Sequence, residues 1–226
     1  MTTILALDTA TTILSAVLTA GERSWYRQVD AGLGHSELLM EMADSLMKGA
    51  GLGPGDLTAV ACMRGPGSFT GLRIGFSAAK GIALALDIPL IACPTLDCLA
   101  YPWSCWPGLV VPVIDAKKER FFSALYRGGR RVSEELDAGA DGIGRMMCCS
   151  DEPVILTGPD APLFLSRLGE AGGEGPRPDR FRLDPLYRRG RAQELAAVAK
   201  ERLIVNNERG DVLSGPEYLR KSDVER

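Results

Sequence analysis

Four glycines within eleven residues, in Gly65-Pro-Gly-Ser-Phe-Thr-Gly-Leu-Arg-Ile-Gly75, constrain the fold of this chain more than any other feature. An apolar run at 57–63 precedes them and a longer one at 76–86 follows, so the pattern predicts a strand, a tight loop and a helix. Glycines in such a loop turn N–H groups toward phosphates at a helix N-terminus, or let another backbone approach closely. The loop by itself leaves both interpretations open.

A carboxylate ends the first apolar strand. Asp8 follows Ile4-Leu-Ala-Leu7, and the small residue Thr9 comes directly after it. This arrangement recurs in nucleotide-binding sheets of the ribonuclease-H-like kind, whereas the simpler interpretation is that Asp8 caps a turn. Together with Gly65 and Gly67 of the loop, Asp8 and Thr9 are the candidate nucleotide-binding residues of the first half.

The first half predicts three antiparallel strands followed by helix, strand, helix and strand. The strands are expected at 4–9, 13–19, 24–29, 57–63 and 89–93, and the helices at 35–49 and about 70–86. The pattern restarts in an apolar strand at 109–117 that contains Asp115, a further nucleotide-binding candidate. Further strands are expected at 119–126, 131–135 and 154–157, a loop at 169–180 and a helix at 191–205, so the second half is a degenerate copy of the first.

Composition excludes several functional classes. The net charge of −3 disfavours tight nucleic-acid binding by this chain alone. No leader pattern opens the sequence and no apolar stretch reaches about 18 residues, so we expect a cytoplasmic protein without a membrane segment. The six cysteines form no Cys-x-x-Cys pair, which favours reduced thiols over disulfides. The single histidine excludes a multi-histidine metal site.

The two predicted helices of the first half carry surplus apolar surface. The helix at 70–86 is apolar nearly all the way round, although a helix on one face of a sheet needs only one apolar side. Either a neighbouring helix or a partner protein covers the rest. For the second case, the residues predicted to form the contact face are His35, Leu38, Met42, Leu46, Leu72, Phe76 and Ala79.

Several motifs together resemble the TsaB (YeaZ-type) family. They are Ile4-Leu-Ala-Leu-Asp-Thr9, His35-Ser-Glu-Leu-Leu39, the glycine loop, Ala79-Lys-Gly-Ile-Ala83, Asp115-Ala-Lys117 and Pro216-Glu-Tyr-Leu-Arg220. The resemblance implies an α/β protein of two ribonuclease-H-like domains with the actin-like ATPase fold, the second domain being reduced. We expect domains at 1–106 and 107–190, with a C-terminal helix and tail at 191–226 packing back on the first.

The resemblance also implies a function. Family members support the synthesis of threonylcarbamoyladenosine at position 37 of tRNAs that read codons beginning with A. The implied partners are a related catalytic subunit, TsaD, and an ATPase subunit, TsaE. A homodimer is implied for the chain alone, tRNA is reached indirectly, and ATP or ADP is expected only at a subunit interface.

Departures from the catalytic relative indicate a supporting role. Thr95 and Leu99 stand where TsaD carries a His-x-x-x-His metal pair, and neither binds iron or zinc usefully. Asp115-Ala-Lys117 and Thr157-Gly-Pro159 replace the Asp-x-Gly and Gly-Gly loops of active kinases. No residue is therefore predicted to be catalytic or to bind a metal.

Two enzymatic alternatives remain. Asp8 and the glycine loop favour an independent small-molecule kinase or ATPase, which the altered loops of the second half oppose. A peptidase is the weaker alternative, because Ser68 has no identifiable base and the chain has one histidine. ATP turnover by the isolated chain would discriminate between a kinase and a supporting subunit.

Overall fold

The computed structural model describes residues 2–32, 34–147, 151–170, 178–205 and 215–216. The strands are β1 (Thr3–Asp8), β2 (Ile13–Ala20), β3 (Arg23–Asp30), β4 (Ala59–Gly65), β5 (Leu90–Pro94), β6 (Leu109–Asp115), β7 (Phe121–Ser123), β8 (Tyr126–Arg127), β9 (Arg130–Arg131), β10 (Leu136–Ala138), β11 (Val154–Thr157) and β12 (Phe181–Leu183). The α-helices are α1 (His35–Ala50), α2 (Phe69–Leu86), α3 (Thr95–Ala100), α4 (Ala140–Met147), α5 (Ala161–Glu170) and α6 (Ala192–Ile204).

The described residues divide into two compact units. Unit 1 contains those up to Cys98 and those from Gly190 onward, and unit 2 contains those of Leu99–Arg189. Unit 1 is therefore discontinuous in sequence, because α6 returns to it after unit 2 has been completed. The domain limits expected from the sequence stay a prediction.

The sheet of unit 1 has the strand order β3-β2-β1-β4-β5. β1, β2 and β3 are antiparallel, and β4 and β5 run parallel to β1. Leu5 and Leu7 pack in a cluster with residues of α1 and α2, whereas Ile4 and Ala6 pack in a second cluster with residues of α6. Every residue of β1 is buried, since helices cover both faces of the sheet.

Helix α2 begins with a side-chain cap. The Ser68 hydroxyl accepts the N–H of Gly71 at 3.2 Å, and Asp87 ends the helix in the left-handed region. By length and composition α2 is the one helix of the described residues that could cross a membrane, with a mean hydropathy of 1.2, so the expectation that no apolar stretch reaches 18 residues was wrong. Its Phe76 and Ala79 pack in the core of unit 1.

Unit 2 repeats the strand order of unit 1 with shorter elements. Its main path is β10-β7-β6-β11-β12, with β11 and β12 parallel to β6 and with β7 antiparallel to it. Helices α4 and α5 contribute to its core, where the rings of Phe121 and Phe164 meet edge to face at 5.2 Å. The predicted pair of ribonuclease-H-like α/β sheets is confirmed.

The strands predicted at 119–126 and 131–135 were wrong in extent. Lys117, Lys118 and Glu119 all have positive φ (61°, 55° and 59°), and β7 begins only at Phe121. Gly128 and Gly129 then turn the chain between β8 and β9, and β10 forms only at 136–138. Helices α3, α4 and α5 and strand β12 were not predicted.

Some expectations concern residues that the structure does not describe. Within the loop predicted at 169–180, α5 continues to Glu170 and a 3-10 turn forms at Pro178–Arg180, while 171–177 lie outside the described residues. The same is true of residues 217–220 of the terminal motif, and of Cys148 and Cys149.

Candidate functional site

The carboxylate of Asp8 is used inside unit 1. It lies at the end of β1 with 2% of its surface exposed. Oδ1 accepts the N–H of Ala10 at 3.1 Å, and Oδ2 accepts the N–H of Arg191 at 2.8 Å and the hydroxyl of Ser15 at 3.3 Å. The partners therefore come from the turn after β1, from β2 and from the residue before α6.

Burial dominates the electrostatics of Asp8. Loss of solvent raises the pKa of its carboxyl above the ordinary value, and the hydrogen bonds from Arg191, Ala10 and Ser15 lower it in part. The Arg191 side chain, 4% exposed, lies 3.7 Å from the carboxylate of Glu194 within the first turn of α6. The end of β1 is thus a buried polar cluster closed by protein groups.

The glycine loop is packed against the turn that follows Asp8. A Cβ at Gly67 would lie 2.6 Å from the carbonyl oxygen of Ala10, and one at Gly71 would lie 2.1 Å from that of Thr9. A Cβ at Gly75 would lie 2.2 Å from the Thr9 hydroxyl, which donates to the carbonyl of Gly71 at 2.8 Å. Of the two interpretations left open by the sequence, the structure supports close backbone approach.

The backbone of the glycine loop around Gly65 and Gly67 also has a structural role. Gly65 ends β4 with φ of 124°, in a region that side chains rarely adopt. The backbone N–H of Ser68 donates to Ala10 at 2.7 Å, so this N–H at the start of α2 is already satisfied. Asp8, Thr9 and Gly67 come together in unit 1 around the turn after β1, whereas Gly65 pairs with Pro94 of β5.

Asp115 belongs to unit 2 and has its own partners. Its carboxylate accepts the backbone N–H of Lys117 at 2.7 Å and forms a 2.7 Å ion pair with the ammonium group of the same residue. Its backbone N–H donates to Asp160 at 2.8 Å, and burial raises the pKa of the Asp160 carboxyl. Asp115 thus shapes the turn between β6 and β7.

Thr95 and Leu99, at the positions of the metal-binding histidines in the catalytic relative, both belong to α3 and are buried. Among the residues that the structure describes, no group of three or more His, Cys, Asp or Glu side chains could hold a metal ion. In the loop at 157–159, a Cβ at Gly158 would lie 2.5 Å from the carbonyl oxygen of Val113, so that glycine also serves close packing.

Most of the predicted contact face is interior, which corrects the prediction. His35, Leu46, Leu72, Phe76 and Ala79 are buried in unit 1, because the sheet and the neighbouring helix cover them. The ring of His35 is fixed by a 2.9 Å hydrogen bond between Nε2 and the carbonyl oxygen of Thr11. These five residues hold the helices to the sheet and offer no surface to a partner.

Leu38 and Met42 of the predicted face are only half-buried on α1. The half-buried apolar residues of α2 include Ile74, Ala78 and Ile82, which sequence reasoning did not select. They follow one another at intervals of four, so they share one side of α2. We call Leu38, Met42, Ile74, Ala78 and Ile82 the α1–α2 face.

Sequence reasoning also missed the residues that surround Asp8. Ser15 sits on β2 opposite Asp8 in the β1–β2 register, and Arg191 precedes the last helix. The available sequence signal for Ser15 was a serine within an apolar strand. No local signal identified Arg191, which is 183 positions away from Asp8 in sequence.

Two sheets with the same strand order, each with helices beside it, define an actin-like protein built from ribonuclease-H-like units. Component A of (R)-2-hydroxyglutaryl-CoA dehydratase from Acidaminococcus fermentans shares this fold, with a TM-score of 0.52, 13% identity and coverage of 89% of this chain and 99% of that one. The family model of TsaD, tRNA N6-adenosine threonylcarbamoyltransferase, matches residues 29–155.

More specific relatives agree with one another. The Bacillus subtilis tRNA threonylcarbamoyladenosine biosynthesis protein TsaB is 30% identical over 231 residues, covering 99% of this chain and 96% of the relative. The structure of YeaZ from Pseudomonas aeruginosa superposes with a TM-score of 0.82 at 25% identity, covering 97% of this chain and all of that one. The chain belongs to the TsaB family of tRNA threonylcarbamoyladenosine biosynthesis proteins.

Proposed function

We propose that this chain is a non-catalytic partner subunit in the threonylcarbamoylation of adenosine 37 of tRNA. The observation that supports this most directly is the internal use of Asp8, whose carboxylate oxygens bond to Ala10, Ser15 and Arg191. A nucleotide phosphate or its metal ion would have to displace these groups to reach the carboxylate. The glycine loop, packed against Thr9 and Ala10, provides no open phosphate cradle either.

The proposed partner is a TsaD-type catalytic subunit acting in the cytoplasm, with a TsaE-type ATPase joining the complex and tRNA reached through the catalytic subunit. Residues 29–155 match the TsaD family model, and this range includes both α1 and α2. A TsaD chain thus offers a helix pair of the same kind to pack against. In the absence of TsaD, a second copy of this chain would occupy the same surface, and ATP or ADP would bind only where subunits meet.

The α1–α2 face is the proposed contact surface. Its apolar side chains are half-buried in the isolated unit, so a partner would gain by covering them. Met40 on α1 and Leu84 on α2 are more exposed, by 51% and 64%, but they lie on other sides of their helices and are not part of this face. The small residue Ala78 lies in the middle of α2 and allows a partner helix to approach closely.

Sedimentation velocity of the chain mixed with TsaD from the same organism tests the proposal. We expect a one-to-one complex that Ala78→Glu weakens at least tenfold, because the new carboxylate would be buried without a partner. Leu163→Glu is the matched control, since Leu163 is an exposed apolar residue on α5 of unit 2. Circular dichroism confirms that both variants are folded.

The outcome separates the candidate functions. If the wild type does not associate with TsaD, or if Ala78→Glu associates as well as Leu163→Glu, the proposed surface is wrong. ATP turnover by the isolated chain that disappears in Asp8→Asn would instead support the kinase alternative.

A further inference from the structure

Asp8 has a role that goes beyond the proposed partner function and deepens it. We propose that Asp8 and Ser15 form an anchor that fixes the N-terminus of α6, and with it the returning chain, to unit 1. The carboxylate is thus the internal ligand of a helix N-terminus, in the position where a nucleotide or metal would otherwise be sought. The inference rests on unit 1 alone and concerns the same site that the proposed function treats as non-catalytic.

The first backbone groups of α6 bind this anchor directly. The N–H of Arg191, the N-cap residue, donates to Oδ2 of Asp8 at 2.8 Å. The N–H of Ala192, the first helical residue, donates to the hydroxyl of Ser15 at 3.2 Å, and that hydroxyl in turn donates to Oδ2 of Asp8. The opening N–H groups of a helix have no partner within it, and their partial positive charge favours a carboxylate.

The α6 cap does not come from its own N-cap residue. The side chain of Arg191 makes no capping bond, so the acceptors are supplied by β1 and β2 instead. Local capping by serine, threonine or aspartate is the usual solution. Here the cap and the attachment of the helix to the sheet are the same set of hydrogen bonds, so loss of the cap also loosens the helix from unit 1.

The residue before the helix is held as tightly. Gly190 donates its N–H to the side-chain oxygen of Gln28 at 3.1 Å and accepts the hydroxyl of Tyr26 at 2.9 Å. A Cβ at Gly190 would lie 2.4 Å from both the Cβ and the hydroxyl of Ser15, so the returning backbone passes directly against β2. Side chains of β1, β2 and β3 thus grip three consecutive residues, 190–192.

This arrangement leaves the carboxylate no free role as a ligand. Oδ2 already accepts two hydrogen bonds and Oδ1 one, and the residue is 2% exposed beneath the first turn of α6. A phosphate or a metal ion could contact Asp8 only after that turn had moved away. Two of these hydrogen bonds lead to the start of α6, one directly from Arg191 and one through Ser15, and the third holds the turn at Ala10.

Hydrogen–deuterium exchange of the intact chain tests the anchor, with Asp8→Asn as the main variant. Asparagine offers one oxygen where Asp8 uses two, and its amide would face an N–H donor. We expect amides of 191–196 to exchange at least tenfold faster, and Tm to fall by roughly 2–10 °C. Asp87→Asn is the control, because Asp87 is an exposed aspartate whose left-handed conformation asparagine tolerates.

Ser15→Ala keeps the test decisive if Asp8→Asn does not fold. It removes the acceptor of Ala192 without changing the carboxylate, so the same amides should exchange faster than in the wild type. Exchange unchanged in both variants would overturn the anchor. So would normal exchange in Asp8→Asn combined with loss of ATP binding or of tRNA modification by the reconstituted complex, since the carboxylate would then be a ligand.

The two proposals fail independently. Exchange and Tm are measured on the chain alone, so they require no association with TsaD. A chain that loses protection of α6 in Asp8→Asn but does not bind TsaD would retain the anchor and lose the proposed function. A chain that binds TsaD but shows no change in α6 protection would do the reverse.

Discussion

Alanine substitution at two glycines of the same helix should change stability in opposite directions. Gly71 lies in the first turn of α2, and Gly81 is an exposed residue in the second half of the same helix. Alanine favours a helix over glycine by about 0.5–1 kcal/mol, so helix propensity alone predicts that either change stabilises the protein. The surroundings of the two residues decide otherwise.

The two Cβ positions differ sharply. At Gly71 the new methyl group would lie 2.1 Å from the carbonyl oxygen of Thr9, and backbone must shift to admit it. That shift also strains the 2.8 Å hydrogen bond from the Thr9 hydroxyl to Gly71. Overpacking costs about 1–3 kcal/mol and the weakened hydrogen bond about 1 kcal/mol. After the gain in helix propensity, a net loss of about 1–3 kcal/mol remains.

At Gly81 no atom lies within 4 Å of the added methyl group, so the gain of about 0.5–1 kcal/mol is kept. In a protein of this size 1 kcal/mol shifts Tm by roughly 2–4 °C. Gly71→Ala should therefore lower Tm by roughly 2–12 °C and Gly81→Ala should raise it by roughly 1–4 °C. Differential scanning calorimetry measures both. A rise in Tm for Gly71→Ala would refute the packing of the glycine loop against Thr9.

Three further predictions follow from burial. Phe76 is 3% exposed, so Phe76→Asp should leave the chain unfolded as measured by circular dichroism. Loss of a buried ring costs about 3–5 kcal/mol, and the buried charge adds to that cost. A folded variant would contradict the interior position of Phe76. Iodoacetamide should modify Cys62, Cys93 and Cys98 only after unfolding, since all three are buried and burial raises the pKa of the Cys62 and Cys98 thiols; peptide mapping that finds them alkylated in the native protein would disagree. Burial also raises the pKa of Asp8 in the folded state above its ordinary value of 3.8, so the folded state binds the proton more tightly than the unfolded state. The resulting stabilisation is fully present below pH 3.8 and is lost as the pH rises through the folded-state pKa. The free energy of unfolding of the wild type, relative to that of Asp8→Asn, should therefore decline with increasing pH in urea titrations. An increase would mean that the folded-state pKa of Asp8 is lowered and not raised.

The sequence predicted the strand, loop and helix around Gly65–Gly75, because apolar periodicity and glycine spacing are local signals. It did not show which of two uses the glycines serve. Thr9 and Gly71 are 62 positions apart, and their contact arises from the pairing of β1 with β4. A local sequence pattern does not predict a contact between residues so far apart in the chain.

Helix faces were harder to predict than helices. Both α1 and α2 were expected close to their observed limits, yet Leu46 and Phe76 are in the core whereas Leu38 and Met42 are half-buried. An almost uniformly apolar helix such as α2 gives a weak directional signal, so the side facing the sheet is set by tertiary packing. In unit 2, the left-handed turn at 117–119 contains no glycine, so the sequence did not indicate a positive φ there.

The discontinuity of unit 1 has a consequence for synthesis. The ribosome releases residues 1–98 well before α6, so the nascent first segment carries Ile4 and Ala6 without their covering helix. Arg191, whose N–H binds the carboxylate of Asp8, is synthesised 183 residues after Asp8. Unit 2, contained within a single stretch of chain, has all its strands available earlier. The unit that begins first is therefore completed last, and a chain that stops before α6 would leave Asp8 and Ser15 without the N–H groups of Arg191 and Ala192.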